Sequence, residues 1–221
     1  MSSDTSDKVS HPLFARFYAW ASPRMERSGY GECRDRLLAG LAGRVIEVGA
    51  GNGMNFAHYP PQVTGVVAVE PEPRLRELAE AEAAKVPAPI DVVDGTADRL
   101  PAADDSFDAA VASLVLCSVR DVPGALAEIR RVLRPGGQLR FFEHVRADTP
   151  GLARVQRILG TTVWPIFVGG CHPDRDTRAA VEGAGFTIDR IDELRIPETR
   201  IPTPASPHIL GVATTPTGTE G

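Results

Sequence analysis

Cysteine is scarce in this chain: 221 residues hold three, Cys33, Cys117 and Cys171, far apart and without a C-x-x-C pair. That excludes a zinc ribbon and a disulfide scaffold, which need close spacing or an even count. Basic clusters are missing too. With 24 Lys and Arg against 29 Asp and Glu, and nothing longer than doublets such as Arg130-Arg131, no nucleic-acid footprint is visible. The longest apolar stretch near the middle, Ala109 to Val119, falls well short of the ~20 residues a membrane-spanning helix needs. Met1 to Asp7 are polar and acidic, where a secretory signal would place a basic and then an apolar region. The expected setting is cytoplasmic. No internal repeat is present.

What the chain does have is the composition of a globular domain, 43% hydrophobic and 24% charged. The ends, 1–11 and 214–221, are rich in Ser, Thr, Asp and Gly and read as tails around one domain over 12–213. Between them the hydrophobic period alternates. Helical spacing over His11–Trp20 and Gly31–Leu41 gives way to a strand at Arg44–Val48, a glycine turn, and a strand at Val63–Val69. Helices follow at Arg74–Lys85, Val122–Leu133, Leu152–Thr161 and Arg175–Ala184. Strands are predicted at Ile90–Val93, Phe107–Leu116, Gln138–Val145, Phe186–Ile191 and His208–Ala213. This β-α order predicts an α/β fold, a mostly parallel sheet flanked by helices with its ligand crevice at the carboxyl ends of the strands.

A strand that feeds a glycine turn is a nucleotide-binding device, because glycine lets backbone N–H groups approach the ligand. The turn here is Glu47-Val48-Gly49-Ala50-Gly51-Asn52-Gly53. A dinucleotide fingerprint needs glycine at position 54, which is Met, and Glu47 suits a cation better than a pyrophosphate. Glu70, at the end of the second strand, is placed to accept both hydroxyls of a ribose. A nicotinamide-dependent oxidoreductase shares the ribose acid and fails at Met54 and Glu47.

These residues resemble the class I S-adenosylmethionine-dependent methyltransferases. The glycine turn matches their E-x-G-x-G-x-G motif and Glu70 their ribose acid. Ser106 to Val111 and Arg131-Val132-Leu133-Arg134-Pro135-Gly136-Gly137 resemble the motifs before their fourth and fifth strands. The resemblance implies a Rossmann-like sheet of seven strands, one antiparallel, and S-adenosyl-L-methionine as cofactor. It sets Glu47, Gly49 and Gly51 by the methionine end and Glu70 on the ribose, with Ala50, Asn55, Pro71 and Leu114 also among the cofactor-binding residues. Thr96 and Ala97 lie along the adenine. Many relatives carry Asp where this chain has Thr96, and Asp98 or a backbone carbonyl is a substitute.

Three further segments resemble the alkyl-thiol methyltransferases of the methyltransferase-like subgroup. They are Leu114 to Val119, Glu143-His144-Val145 and Gly170-Cys171-His172, joined by Asn55-Phe56 after the turn. No long apolar N-terminal anchor like that of the animal members is seen, which implies a soluble relative. The expected partner is a small, apolar methyl acceptor, and the subgroup resemblance implies a thiol. The alternatives are an oxygen, nitrogen or carbon acceptor in a natural product, quinone or lipid headgroup, and a cofactor-binding module without catalysis.

His144 is the candidate proton acceptor, its charge state set by Glu143, or else a histidine that caps a strand end. Tyr18, Cys117, Trp164 and His172 are candidate pocket residues. Cys117 reads more readily as a buried structural cysteine, and the aromatic stripe Phe14, Phe17, Tyr18 and Trp20 as a lid or, more commonly for such stripes, as core. Cys171-His172 offers two ligands without cysteine or carboxylate partners at suitable spacing, so no metal site is predicted and a chelator should not matter.

Overall fold

A computed structural model describes residues 12–162, 169–197 and 202–217. Helix α1 (Pro12–Met25) runs through a short π-type turn into α2 (Gly31–Leu38). The alternation then starts: β1 (Gly43–Val48), β2 (Val63–Val69), α3 (Pro73–Ala83), β3 (Ile90–Val93), β4 (Phe107–Ser113), α4 (Val122–Val132) and β5 (Leu133–His144). Helices α5 (Pro150–Gly160) and α6 (Thr177–Gly183) and strands β6 (Thr187–Arg195) and β7 (Pro207–Thr214) complete the order.

The sheet has seven strands in the order β3-β2-β1-β4-β5-β7-β6, with β7 antiparallel to both of its neighbours. The expected Rossmann-like sheet with one antiparallel strand is what forms. Both faces are covered, so the strands are apolar on both sides, and the period of two sorts their residues. Val45, Ala109, Val111 and Phe142 face one cluster with Leu37 and Leu38 of α2 and Ala79 of α3. Ile46, Ala110, Ala112 and Phe141 face the other, with Leu126 and Ile129 of α4 and Val181 of α6. Asp121 and Asp176 accept from Gly124 and Ala179 at 2.9 and 3.1 Å, capping α4 and α6.

Two boundaries differ from the sequence reading in ways that bear on the site. The apolar run to Leu116 leaves the sheet at Ser113: Leu114 takes a φ of +61°, and the N–H groups of the next three residues turn to a carboxylate. Thr214 and Thr215, counted with the C-terminal tail, are held. Thr214 pairs in β7, and Thr215 donates its N–H to the Gly137 carbonyl at 2.9 Å and its hydroxyl to Arg134 O at 2.8 Å.

Candidate active site

The glycine turn leaves β1 and doubles back on β2. Gly49 and Ala50 both donate to the Val69 carbonyl, at 2.8 and 3.0 Å. Gly49, Gly51 and Gly53 all have positive φ, at +69°, +58° and +80°, where a side chain is strained. Close approach adds a second reason at Gly49, since a Cβ there would lie 2.6 Å from Val115 Cγ2. Over Gly51 sits the ring of half-buried Tyr18, 3.4 Å from where a Cβ would stand.

Two buried acids hold this turn from below. Glu70 takes the Gly51 N–H at 2.8 Å on one oxygen and the Glu72 N–H at 2.9 Å on the other. Burial raises its pKa, opposed by those two donors. Glu47 is deeper: Asn55 Nδ2 donates to one oxygen at 2.8 Å and the Tyr59 hydroxyl to the other at 2.7 Å. Burial pushes Glu47 up to about 7 against the pull of Tyr59 and Asn55. Asn55 is therefore a brace for Glu47 as well as a neighbour of the turn.

Sequence reasoning missed the cation that completes this network. Arg34 of α2 is buried and donates to Asn55 Oδ1 at 2.6 Å and Glu26 at 3.1 Å, with Tyr18 also hydrogen-bonded to it. Nothing marks it out among the charged residues of its helix, because only tertiary packing buries it. Arg76 of α3 was missed likewise. It donates to the Glu70 and Pro71 carbonyls at 2.7 and 3.2 Å and pairs with Asp94 at 3.0 Å, tying the end of β2 to the loop that carries half-buried Thr96 and Ala97. Asp98, the proposed substitute at the adenine, is exposed.

The residues fit a sulfonium nucleoside. Two buried acids flank the glycine turn, and the Asn52 Oδ1 is buried without a hydrogen-bond partner among the described residues. An acceptor stranded there suits a donor on the ligand.

At the other end of the crevice, the segments after β4 and β5 meet the loop before α6. Glu143, fully buried, accepts the N–H groups of Val115, Leu116 and Cys117 at 3.0, 2.9 and 3.0 Å. Burial raises its pKa well above the usual range against those donors. This corrects its expected role. Neighbouring strand residues point to opposite faces, so Glu143 turns to the β4 loop while His144 emerges on the other side. There the His144 ring lies 4.4 Å from that of His208, centroid to centroid. His208 donates Nδ1–H to the Ser206 carbonyl at 2.8 Å and accepts from Tyr30 at Nε2, 3.2 Å. Burial, with His144 beside it, lowers His208 to about 3, so its ring is neutral.

His144 Nδ1 stands 3.6 Å from the Cys117 sulfur and 3.6 Å from that of Cys171, and the two sulfurs are 3.8 Å apart. The premise against a metal, that Cys171 has no partner of suitable spacing, thus fails in three dimensions. His172 is not part of this group among the described residues; its backbone N–H donates to the Cys117 carbonyl at 2.7 Å. The Cys171 thiol and burial push the Cys117 thiol up to about 12. Trp164 lies outside the described residues. Phe17 and Trp20 are 54% and 60% exposed, so they are not core.

A family model described as a methyltransferase domain matches residues 46–141. Thiol S-methyltransferase TMT1B of Mus musculus is 36% identical over 215 residues, covering 93% of this chain and 86% of that protein. Thiol S-methyltransferase TMT1A of Homo sapiens is 33% identical over 181 residues, covering 80% and 73%. An S-adenosylmethionine-dependent methyltransferase of Thermotoga maritima superposes with a TM-score of 0.68 at 24% identity, over 91% of this chain and 97% of that one. Fold, glycine turn and relatives agree: the chain belongs to the class I S-adenosylmethionine-dependent methyltransferases, with thiol S-methyltransferases among its relatives.

Proposed function

We propose that the chain methylates a small, apolar thiol. The observation that carries this reading is the convergence of Cys117, His144 and Cys171, from three separate segments, at the carboxyl ends of β4 and β5. S-adenosylmethionine supplies an electrophilic methyl group on a sulfonium. The residues of the chain then have to bind it, exclude water and align the acceptor sulfur, tasks in which positioning supplies most of the acceleration.

Glu70 holds the ribose, the 94–97 loop the adenine, and Glu47, Asn52 and Arg34 the amino-acid end, where opposite charges on the protein match a zwitterion. Val115 connects the two halves: it packs on Gly49 of the cofactor turn and lies two residues from Cys117. Tyr18 over Gly51 shields the methyl group. His144 serves the acceptor sulfur. Buried cysteines kept as thiols suit the reducing cytoplasm.

The test is a competition with labelled cofactor among matched small thiols, alcohols, phenols and amines. Thiols should be methylated fastest, since a free thiol is already a few per cent thiolate at neutral pH. Faster transfer to a phenol, amine or quinone would replace the thiol by that acceptor.

A further inference from the structure

We propose that Cys117, Cys171 and His144 form a three-ligand site for a zinc-class divalent cation, and that the acceptor thiol binds it as the fourth ligand. The three side chains are buried, and their ligand atoms lie within 4.8 Å of one another. The spacing is more specific than that. With Zn–S of about 2.3 Å and Zn–N of about 2.05 Å, a tetrahedral ion sets its sulfurs about 3.8 Å apart and each sulfur about 3.6 Å from the nitrogen. The observed edges are 3.8, 3.6 and 3.6 Å. Packing around a pair of thiols gives no reason for one imidazole nitrogen to stand equally far from both, whereas a shared ion does.

The backbone around the ligands is built to hold them. Glu143 pins the Cys117 turn through three N–H groups. Gly170 has a φ of +87°, and a Cβ there would stand 2.9 Å from the Ser118 carbonyl oxygen, so only glycine lets the Cys171 loop lie this close. The His172 N–H to the Cys117 carbonyl closes the two segments, and Arg175 donates to the Leu116 carbonyl at 2.6 Å. Two thiolates and an imidazole select a soft or borderline ion over magnesium, calcium or manganese. Three protein ligands is the number found in catalytic zinc sites, whose fourth position takes water or substrate.

The second half of the proposal rests on the thiol reading above. A thiol that binds the ion gives its proton to solvent and stays a thiolate below its ordinary pKa of about 8.5. Its sulfur attacks the methyl carbon. A new S–C bond forms as the sulfonium C–S bond breaks, and that electron pair returns to the cofactor sulfur. The products are a neutral thioether, which is a poor ligand and leaves, the demethylated cofactor, and the one proton already released.

The experiment uses the full chain without a histidine tag, reduced, loaded with zinc or cobalt(II) and freed of excess metal. About one zinc per chain should remain. The cobalt form should show thiolate-to-cobalt charge transfer and the strong visible bands of a tetrahedral ion. Cys33→Ser should keep these bands, and Cys117→Ser/Cys171→Ser should lose them. If the double variant does not fold, Cys171→Ser alone should show weaker charge transfer. A small thiol should shift the visible bands and a matched alcohol should not. Wild-type chain without stoichiometric metal, or bands that survive in the double variant, would overturn the site. Bands unmoved by a thiol that the enzyme methylates would overturn the ligand role. Metal bound by a chain that methylates no thiol would instead overturn the thiol reading and leave the site standing.

Discussion

Glu47 and Glu70 carry opposite burdens although both are buried carboxylates beside one glycine turn. Burial holds Glu47 near 7 in the folded chain, above the ordinary 4.5, so the folded state binds the proton more tightly than the unfolded one. Its sign is clear: stability falls as pH rises from the ordinary value through about 7, because the folded chain must then carry a buried charge. A cationic ligand favours the charged form. Cofactor affinity should therefore strengthen as pH rises through about 7, with proton release below it, and Glu47→Gln should flatten that profile; calorimetry in buffers of different ionisation heat measures both. Glu70 acts as a hydrogen-bond acceptor. Glu70→Ala should weaken binding of the demethylated cofactor by about 1.5–3 kcal/mol. Equal affinity in the variant would remove Glu70 from the site.

Among the elements, the turn after β4 decides the acceptor end. A strand that continued to Leu116, as its apolar run suggests, would carry Cys117 away along the sheet. It stops because Leu114 adopts a φ of +61°, a strained conformation for a branched residue, and because Glu143 on the neighbouring strand satisfies the next three N–H groups. Glu143→Ala should leave those donors unpaired and cost about 3 kcal/mol or more, read from urea unfolding. Glu143→Gln, which keeps one carbonyl acceptor, should cost less. Loss of methyl transfer beyond the loss of cofactor binding would place the effect at the acceptor end. On α1, Phe17 and Trp20 stand exposed with Arg24 4.3 Å over the Trp20 ring. Phe17→Ser should change stability by no more than about 0.5 kcal/mol, as expected of a surface position, and a larger loss in thermal unfolding would show packing against another segment.

For the whole molecule, the proposed cofactor site joins elements that are far apart in sequence: α1 and α2 over the turn, β2 beneath it, and the β4 loop against Gly49. Binding to the folded chain alone should stabilise all of them together, by about 2.7 kcal/mol when the demethylated cofactor is present at 100 times its Kd. Thermal unfolding should move upward as one transition in wild type and much less in Glu70→Ala. A shift of equal size in both would mean that the ligand binds elsewhere.

The order of strands and helices, the glycine turn and the place of an acid at the end of β2 are local properties, and the sequence by itself determined them: periodicity marks each element, and only glycine tolerates the turn's positive φ. The antiparallel last strand and the cofactor class were legible only as what the family resemblance implies, a resemblance carried by the glycine turn and the motifs before the fourth and fifth strands. Arg34 and Arg76 were not, because a buried arginine and a solvated one look alike until packing separates them. Nor was the face that each strand end presents. Glu143 and His144 are adjacent in sequence, yet the pleat sends them to opposite sides of the sheet, one to brace a backbone turn and one to meet two thiols. Cys117 and Cys171 are 54 positions apart, and their 3.8 Å approach exists only because two loops close on each other across the end of the sheet. Sequence spacing cannot encode such a contact; tertiary structure decides it, since α4, β5 and α5 lie between the two sulfurs and must be in place before the loops can meet.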